Sequence, residues 1–333
     1  MPAPSSWNNV PVLVTGGAGF VGAHLVHALL EQGARVTILD IKPIPQIKGH
    51  YTRINKDAQY VQGDVADQTL VDELIQKERF ETVFHLAAEA IVARFHQNPA
   101  AGLETNVKGT WTILDAIRRY TPDASVVIAS SDKAYGSHET LPYDESSPLQ
   151  GRNPYDCSKS CTDLIAHMYA HAYGLKLTVT RCGNVYGGGD LNFSRIIPDA
   201  IRQTIQNKSF VFRSDGEFLR DYVYVDDVVA AYLRSAEALR EGRPSGEAYN
   251  FSHNAPINAI DVVRKILAFM DAVHLEPVVN FSAQYEIRDQ FLDSRKAMEQ
   301  LGWRPVVGFD DGLKETIEWY RMLLAEHPDY AAS

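Results

Sequence analysis

Cysteine is scarce in this chain: three among 333 residues, Cys157, Cys161 and Cys182. An odd, small number gives no disulfide framework and points to a reducing compartment. Cys157 and Cys161 lie on one helical face but have no metal-ligand companions at matching spacing, so all three read as small buried residues. None of the 11 histidines has metal-ligand spacing, and no metal site is expected. Long apolar runs are missing too. Nothing approaches the roughly 18 residues of a membrane span. The N-terminus Met1-Pro-Ala-Pro-Ser-Ser-Trp7 has no basic region followed by an apolar core. A cytoplasmic protein without membrane contact is the expectation. Positive charge is in deficit, with a net charge of -10. Nucleic-acid binding is therefore not expected, and anionic groups on a substrate must be met by a local basic site. Low-complexity tracts and internal repeats are absent.

What is present is ordinary globular composition, 45% hydrophobic and 22% charged, and a strict alternation of element signals. Pro11–Thr15 is an apolar run that ends in Gly16-Gly-Ala-Gly19-Phe-Val-Gly22. A helix pattern follows over Ala23–Glu31, then a strand over Arg35–Leu39 that ends at Asp40. The alternation continues with strands at 59–61, 82–86, 125–129 and 176–180. Helices are expected near 70–77, over an unbroken 101–120, and over 155–173. About six strands before residue 182 give an α/β fold, a doubly wound parallel-sheet Rossmann domain. We place this domain at 8–183, with 222–252 packing back on it as a helix near 226–239 and a strand near 249–251. Residues 184–330 form mainly a smaller α/β substrate-binding lobe. Its signals are a loop at 187–194, a helix at 196–206, mixed strands at 209–225, and helices near 260–273, 295–301 and 312–324.

Two constellations carry chemistry. Gly16, Gly19 and Gly22 have the context a dinucleotide fingerprint requires: a strand before, a helix after, and an acid about 20 residues on. The helix N-terminus would hold the pyrophosphate. Asp40 would hydrogen-bond the adenosine ribose, which favours NAD over NADP, although Lys42 lies nearby. Asp64, after the third strand, would lie near the adenine. The second constellation is Ser131-Asp132-Lys133 after the 125–129 strand, with Tyr155 and Lys159 four apart on a helix. Tyr and Lys at that spacing share a face. The ammonium is expected to lower the phenol from its reference of roughly 10, making a base for an alcohol proton. Asp132 and Lys133 add an acid and a base that plain alcohol oxidation does not need.

On Gly16-Gly-Ala-Gly-Phe-Val-Gly22, His85-Leu-Ala-Ala88, Asn106-Val-Lys-Gly109, Tyr155-x-x-x-Lys159, Arg181-x-Gly-Asn184, Arg220-Asp-Tyr222 with Val225-Asp-Asp227, and Leu301-Gly-Trp303, the chain resembles the extended short-chain dehydrogenase/reductases. Within these it is similar to the NAD-dependent nucleotide-sugar epimerases and dehydratases, over about residues 10–320. Ser131-Asp132-Lys133, Gly187-Gly-Gly-Asp190 and Arg195-Ile-Ile-Pro198 most resemble CDP-glucose 4,6-dehydratases. The resemblance implies that Phe20, Val21, Val65, Leu86, Ala87, Ala88 and Asn106 line the NAD site. It implies that Ser131 hydrogen-bonds the reacting hydroxyl, that Asn184 holds the substrate diphosphate, and that Arg220 contacts the nucleotide or diphosphate. Glu89, Arg195 and Arg288 complete the expected substrate contacts. Residues 192–195 and 210–213 are the expected region for reading the base.

The reaction expected is a 4,6-dehydration. Tyr155 takes the C4 hydroxyl proton while C4 gives hydride to NAD; Lys159 stabilises the phenolate and holds the nicotinamide ribose. Lys133 removes the C5 proton, Asp132 protonates the leaving C6 hydroxyl, and C6 receives the hydride. A 4-epimerase is the nearest alternative, since it needs only Tyr155, Lys159 and Ser131. A UDP-uronate decarboxylase and a non-catalytic NAD-binding regulator rank lower. The resemblance also implies a homodimer joined through the helices near 101–120 and 155–173, although their apolar content equally fits core packing.

Overall fold

The computed structural model describes residues 6–212, 214–280 and 287–332. The strands are β1 Pro11–Thr15, β2 Arg35–Asp40, β3 Gln59–Gln62, β4 Thr82–His85, β5 Ser125–Ala129, β6 Leu177–Cys182, β7 Asn184–Tyr186, β8 Val211–Phe212, β9 Leu219–Arg220, β10 Tyr222–Tyr224, β11 Glu247–Phe251, β12 Ile257–Asn258 and β13 Val278–Val279. The helices are α1 Phe20–Glu31, α2 His50–Asp57, α3 Gln68–Glu78, α4 Val92–Gln97, α5 Pro99–Leu103, α6 Gly109–Tyr120, α7 Pro154–Tyr173, α8 Ile196–Ile205, α9 Val225–Arg240, α10 Ala259–Phe269, α11 Arg295–Gln300, α12 Phe309–Glu326 and α13 Asp329–Ala332.

Seven strands form one parallel sheet in the order β11-β6-β5-β4-β1-β2-β3. The central strands are buried on both faces, which is why they read as continuous apolar runs. The chain leaves β1 toward one side and enters β4 on the other. The carboxyl ends of these neighbours therefore open a crevice at the switch of direction, the place where such sheets hold ligands. This is the doubly wound α/β fold expected from the alternation.

Local signals explain several boundaries. Asp67 caps α3, its carboxylate accepting from the N–H groups of Thr69 and Leu70 at 3.0 and 3.2 Å. Pro154 opens α7 at a position where a missing N–H costs nothing, and Gly174 closes it with a left-handed φ of 70°. The expected unbroken helix over 101–120 is interrupted. Residues Glu104–Lys108 form a π-helical turn between α5 and α6. There the Asn106 carbonyl accepts from Thr110 Oγ1 at 2.6 Å and Thr162 Oγ1 at 3.0 Å, bonds that compete with the α ladder.

Beyond β6 the elements are short. β7 pairs with β10, β9 with β12, and β8 with β13. β11 returns to the main sheet beside β6, and α9 covers β5 and β6. One hydrophobic cluster runs from Trp7, Val12 and Leu25 through Val225 and Tyr232 to Ile317 and Tyr320, and a second gathers Leu13, Val83, Ile117 and Val179. Among the described residues, no helix is long and apolar enough to cross a membrane. All three cysteines are free, but only Cys182 is buried; Cys157 and Cys161 are half-exposed on α7, which corrects the expectation for those two.

Candidate active site

The glycine loop lies at the crevice. Gly16 has φ +71°, and a Cβ there would stand 2.7 Å from the Ala87 N. A Cβ on Gly22 would stand 2.1 Å from the Gly16 carbonyl oxygen. Both positions thus require glycine. Gly19 is exposed and caps α1 without a side chain, leaving the first N–H groups of the helix uncovered, beside half-buried Phe20 and Val21. Asp40 ends β2 and is held in place: Oδ2 accepts from the Ala18 N–H at 3.0 Å and Oδ1 from the Lys42 N–H at 3.0 Å. Asp64 accepts from the Ala66 N–H at 2.9 Å, next to buried Val65.

Opposite this loop, Leu86, Ala87 and Ala88 leave β4. Leu86 N–H donates to the Thr15 carbonyl at 3.1 Å and Ala87 N–H to Thr15 Oγ1 at 3.2 Å. His85 braces this junction. Its ring lies 2.8 Å from Thr15 Oγ1 and 3.2 Å from Thr110 Oγ1, and burial, with Lys159 nearby, lowers its pKa to about 3. Its role is a neutral structural one. Asn106 ties the next loop to α7. Its Oδ1 accepts from the Glu89 N–H at 2.8 Å and its Nδ2 donates to Ser158 Oγ at 2.9 Å. Ser158 in turn donates to the Tyr155 carbonyl at 2.7 Å. The π-helical turn is therefore what aims Asn106 at the site, a position that helical periodicity alone misplaces. Glu89 itself accepts from the Ile91 N–H at 2.9 Å.

Ser131 follows β5 in extended conformation, and Asp132–Tyr135 wind into a single 3-10 turn. Ser131 Oγ accepts from the Lys133 N–H at 3.2 Å and donates to Asp132 Oδ1 at 2.8 Å. Asp132 is buried, and among the described residues nothing hydrogen-bonds its Oδ2. Lys133 Nζ donates to Gln290 Oε1, and Gln290 Nε2 donates back to the Asp132 carbonyl at 2.8 Å.

Tyr155 and Lys159 share the inner face of α7. Tyr155 packs edge-on against Phe95, with ring centroids 6.1 Å apart. Lys159 is buried and donates to the Ala129 carbonyl at 2.8 Å; burial lowers its pKa to about 8 against the opposing charge of Asp163. The expected lowering of the Tyr155 phenol is not what its protein surroundings produce. Burial pushes it up to about 12, with Arg195 pulling it down, Asp132 pushing it up, and the Ser131 hydrogen bond pulling it down. Desolvation of the phenolate outweighs the protein's own cations here.

The structure brings the cofactor-side residues, Ser131, Asp132, Lys133, Tyr155 and Lys159 to one crevice. Arg195 reaches it as well, acting on Tyr155 while paired with Asp190 at 3.1 Å. The other expected substrate contacts stand differently. Asn184 is half-buried on β7, its N–H donating to the Asp221 carbonyl at 2.9 Å. Arg220 turns its guanidinium to the backbone carbonyls of Leu219, Arg288 and Ile287, and the Arg288 side chain is exposed. Phe210 and Phe212 are buried against each other at 4.9 Å, which removes them as base readers because both rings face the core. Arg213 lies outside the described residues. In the 192–195 stretch, Asn192 Oδ1 accepts from Ser194 Oγ at 2.7 Å, forming a turn. Sequence reasoning missed Gln290 and Asp156. Asp156 is buried beside Lys133, which opposes the upward push of burial on its carboxyl. A lone glutamine after Arg288-Asp289 carries no signal of its own.

Comparison with known proteins places this arrangement. Residues 13–316 match the family model described as GDP-mannose 4,6 dehydratase. The chain is 32% identical to a dTDP-glucose 4,6-dehydratase of Xanthomonas campestris pv. campestris, over 92% of each protein. It is 33% identical to a putative UDP-glucose 4-epimerase of Methanocaldococcus jannaschii, over 93% of this chain and 98% of that one. The crystal structure of a dTDP-glucose 4,6-dehydratase from Streptomyces venezuelae with NAD bound superposes with a TM-score of 0.86 at 30% identity, covering 96% of this chain and all of that one. The chain belongs to the GDP-mannose 4,6 dehydratase family, within the extended short-chain dehydrogenase/reductases.

Proposed function

We propose that this protein is an NAD-dependent nucleotide-sugar 4,6-dehydratase, with CDP-glucose as substrate and the 4-keto-6-deoxy sugar as product. One observation carries the reading. A buried carboxyl with an uncovered oxygen, Asp132 Oδ2, stands in a turn with Ser131 and Lys133 and acts on the Tyr155 phenol. Burying such a group is costly. Oxidation at C4 alone gives it no task, whereas expulsion of the C6 hydroxyl needs an acid.

The NAD fit rests on Gly16 and Gly22, whose Cβ positions are filled by backbone, and on the uncapped start of α1 with Asp40 held at the end of β2. We assign Gly16, Gly19, Phe20, Val21 and Gly22 to the phosphates, Asp40 to the ribose, and Asp64 and Val65 to the adenine side. Leu86, Ala87, Ala88 and Asn106 border the nicotinamide. When bound, NAD supplies a hydride acceptor at C4, a hydride donor at C6, and a positive charge that favours the phenolate. Residues 8–183 with the 222–252 return would hold this cofactor, and 184–330 mainly the sugar nucleotide.

Tyr155, as phenolate, takes the C4 hydroxyl proton. Lys133, as amine, takes the C5 proton. Asp132, as carboxylic acid, protonates the C6 oxygen, which leaves as water. Lys133 then returns its proton to C5. The cycle leaves a proton on Tyr155 and a deficit on Asp132; Ser131 hydrogen-bonds both groups and so links the two sites that must be reset. Glu89, Asn184, Arg195, Arg220 and Arg288 are the substrate contacts proposed around this centre.

A 4-epimerase is the second reading, favoured by the epimerase relative at 33% identity. Incubation with CDP-, dTDP-, UDP- and GDP-hexoses in deuterated water separates the two. Loss of water with deuterium at C5 supports the dehydratase and identifies the nucleotide. An inverted sugar without water loss or deuterium would establish the epimerase.

We also propose a homodimer through α6 and α7, which pack on each other. Trp111 on α6 and Leu164 on α7 are 42% and 59% exposed, with Met168 one turn on from Leu164. Sedimentation of Leu164→Lys should show a monomer where the wild type sediments as a dimer.

A further inference from the structure

Gln290 is fully buried and lies 157 positions from Lys133 along the chain. Its segment bridges to Arg220 on β9, and its N–H donates to the Leu219 carbonyl at 3.0 Å. The side chain turns the other way, into the catalytic turn. Its Oε1 accepts from Lys133 Nζ, and its Nε2 donates to the Asp132 carbonyl at 2.8 Å. The partners fix that orientation, because a backbone carbonyl only accepts and Nζ presents N–H groups.

We propose that Gln290 is the positioning residue of the elimination step, holding the Lys133 amine and the Asp132–Lys133 peptide in one setting. This rests on the dehydratase reading above. In that step the C5–H bond breaks and its proton goes to Lys133 Nζ. The electron pair forms the C5–C6 double bond, and the C6–O bond breaks as the oxygen leaves with the Asp132 proton. A base that swings freely on four methylenes meets the C5 hydrogen rarely; one tethered at Nζ meets it in most encounters.

The choice of an amide is informative. Around Lys133 stand Asp132 on its own turn and Asp156 on α7. Asp156 is bonded by Asn153 at 3.1 Å and faces His96 of α4. Asp221 faces Asp132 from the other side. Behind Gln290, the Arg220 guanidinium is turned away to backbone carbonyls. A further carboxylate on Nζ would hold the proton there. A carboxamide accepts the N–H without adding negative charge, so the amine stays available as a base.

The test compares wild type, Gln290→Met and Gln290→Glu on the CDP-, dTDP-, UDP- and GDP-glucose panel in deuterated water. Rapid mixing reads reduced cofactor, which reports C4 oxidation. Quenched samples read C5 deuterium and water loss. For Gln290→Met we expect C4 oxidation within about twofold of wild type and elimination about 10- to 100-fold slower, so that reduced cofactor accumulates. KM should be unchanged. For Gln290→Glu the acidic limb of the elimination profile should move up by about one pH unit. Equal slowing of both steps in Gln290→Met would show a merely structural residue and overturn the assignment, as would unchanged elimination. If wild type places no deuterium at C5 of any hexose, the dehydratase reading falls and this assignment falls with it. If wild type does and Gln290→Met matches it, the assignment alone falls.

Discussion

The two ends of the crevice are built in different ways. The phosphate and ribose part of the proposed cofactor end comes from one β-α-β stretch: the contact that closes it, Ala18 N–H to Asp40, spans 22 positions. The proposed elimination end is closed by Gln290, reaching Lys133 and Asp132 across 157 and 158 positions. That part of the first end assembles wherever its local unit folds. The second exists only when the lobe beyond β6 is seated on the sheet. Relatives named as dehydratases and as an epimerase match this chain equally well along its length. The residues proposed to separate those outcomes are at the end that local sequence controls least.

The largest effects should come from separating the two ends chemically. Tyr155→Phe removes the proposed base on which both depend, and should lower turnover by about 10³-fold or more, with no reduced cofactor formed. Asp132→Asn fills the same space without an acidic proton. It should keep C4 oxidation and lose elimination by about 10²- to 10³-fold, leaving reduced cofactor bound. Rapid-mixing absorbance and product spectra measure both variants. Water loss from Asp132→Asn at the wild-type rate would show that the acid lies elsewhere and would dissolve the contrast between the ends.

The same contrast explains what could be read before folding. The glycine loop, Asp40 and the Tyr155/Lys159 pair are each defined by short spacings on regular elements, so their meeting follows from strand order. The buried parallel strands announce themselves as apolar runs. The π-helical turn at Asn106 is illegible in the sequence because one of the two hydroxyls on its carbonyl comes from Thr162 on another helix. Phe210 and Phe212 lie in the stretch expected to read the base, but their sequence pattern does not show that the fold turns both rings to the core. Gln290 was invisible because its partners are chosen by tertiary packing. The raised Tyr155 pKa was misjudged because helical spacing gives the neighbouring charge but not the burial.

Gly22→Ala probes the cofactor end alone. Its Cβ would meet the Gly16 carbonyl oxygen at 2.1 Å, so α1 must shift against the loop. Overpacking of this kind costs about 1–3 kcal/mol. NAD affinity should fall by at least about tenfold in a fluorescence titration, while circular dichroism stays near wild type. Lys159 offers a pH test. The unfolded chain holds its proton to about 10.5, whereas the folded chain releases it near about 8. Between those values the unfolded state binds more protons, so raising the pH favours the fold. Lys159→Met should gain stability over wild type below about pH 8, and that gain should shrink, by no more than about 3 kcal/mol, as the pH approaches 10.5. Urea melts across pH 7 to 10 measure it, and a constant difference would mean that Lys159 titrates as it does in the open chain.

The smallest expected effect on elimination is the sharpest test of independence between the ends. Asp40→Ala deletes the proposed ribose partner and the acceptor for the Ala18 N–H. Hydrogen bonds to a charged acceptor contribute about 1.5–3 kcal/mol, so NAD should bind roughly 10- to 100-fold more weakly. NADP should lose less, because its 2′-phosphate no longer meets a carboxylate, and the NADP-to-NAD affinity ratio should rise by about tenfold. Calorimetric titration of both nucleotides measures the ratio. At saturating NAD, the elimination rate of this variant should equal that of wild type, since nothing in the contact from Asp40 to Ala18 touches Asp132, Lys133 or Gln290. A slowed elimination at saturation would show that the two ends are coupled through the sheet, and that the apparent modularity of the cofactor unit is a feature of its sequence spacing and not of its energetics.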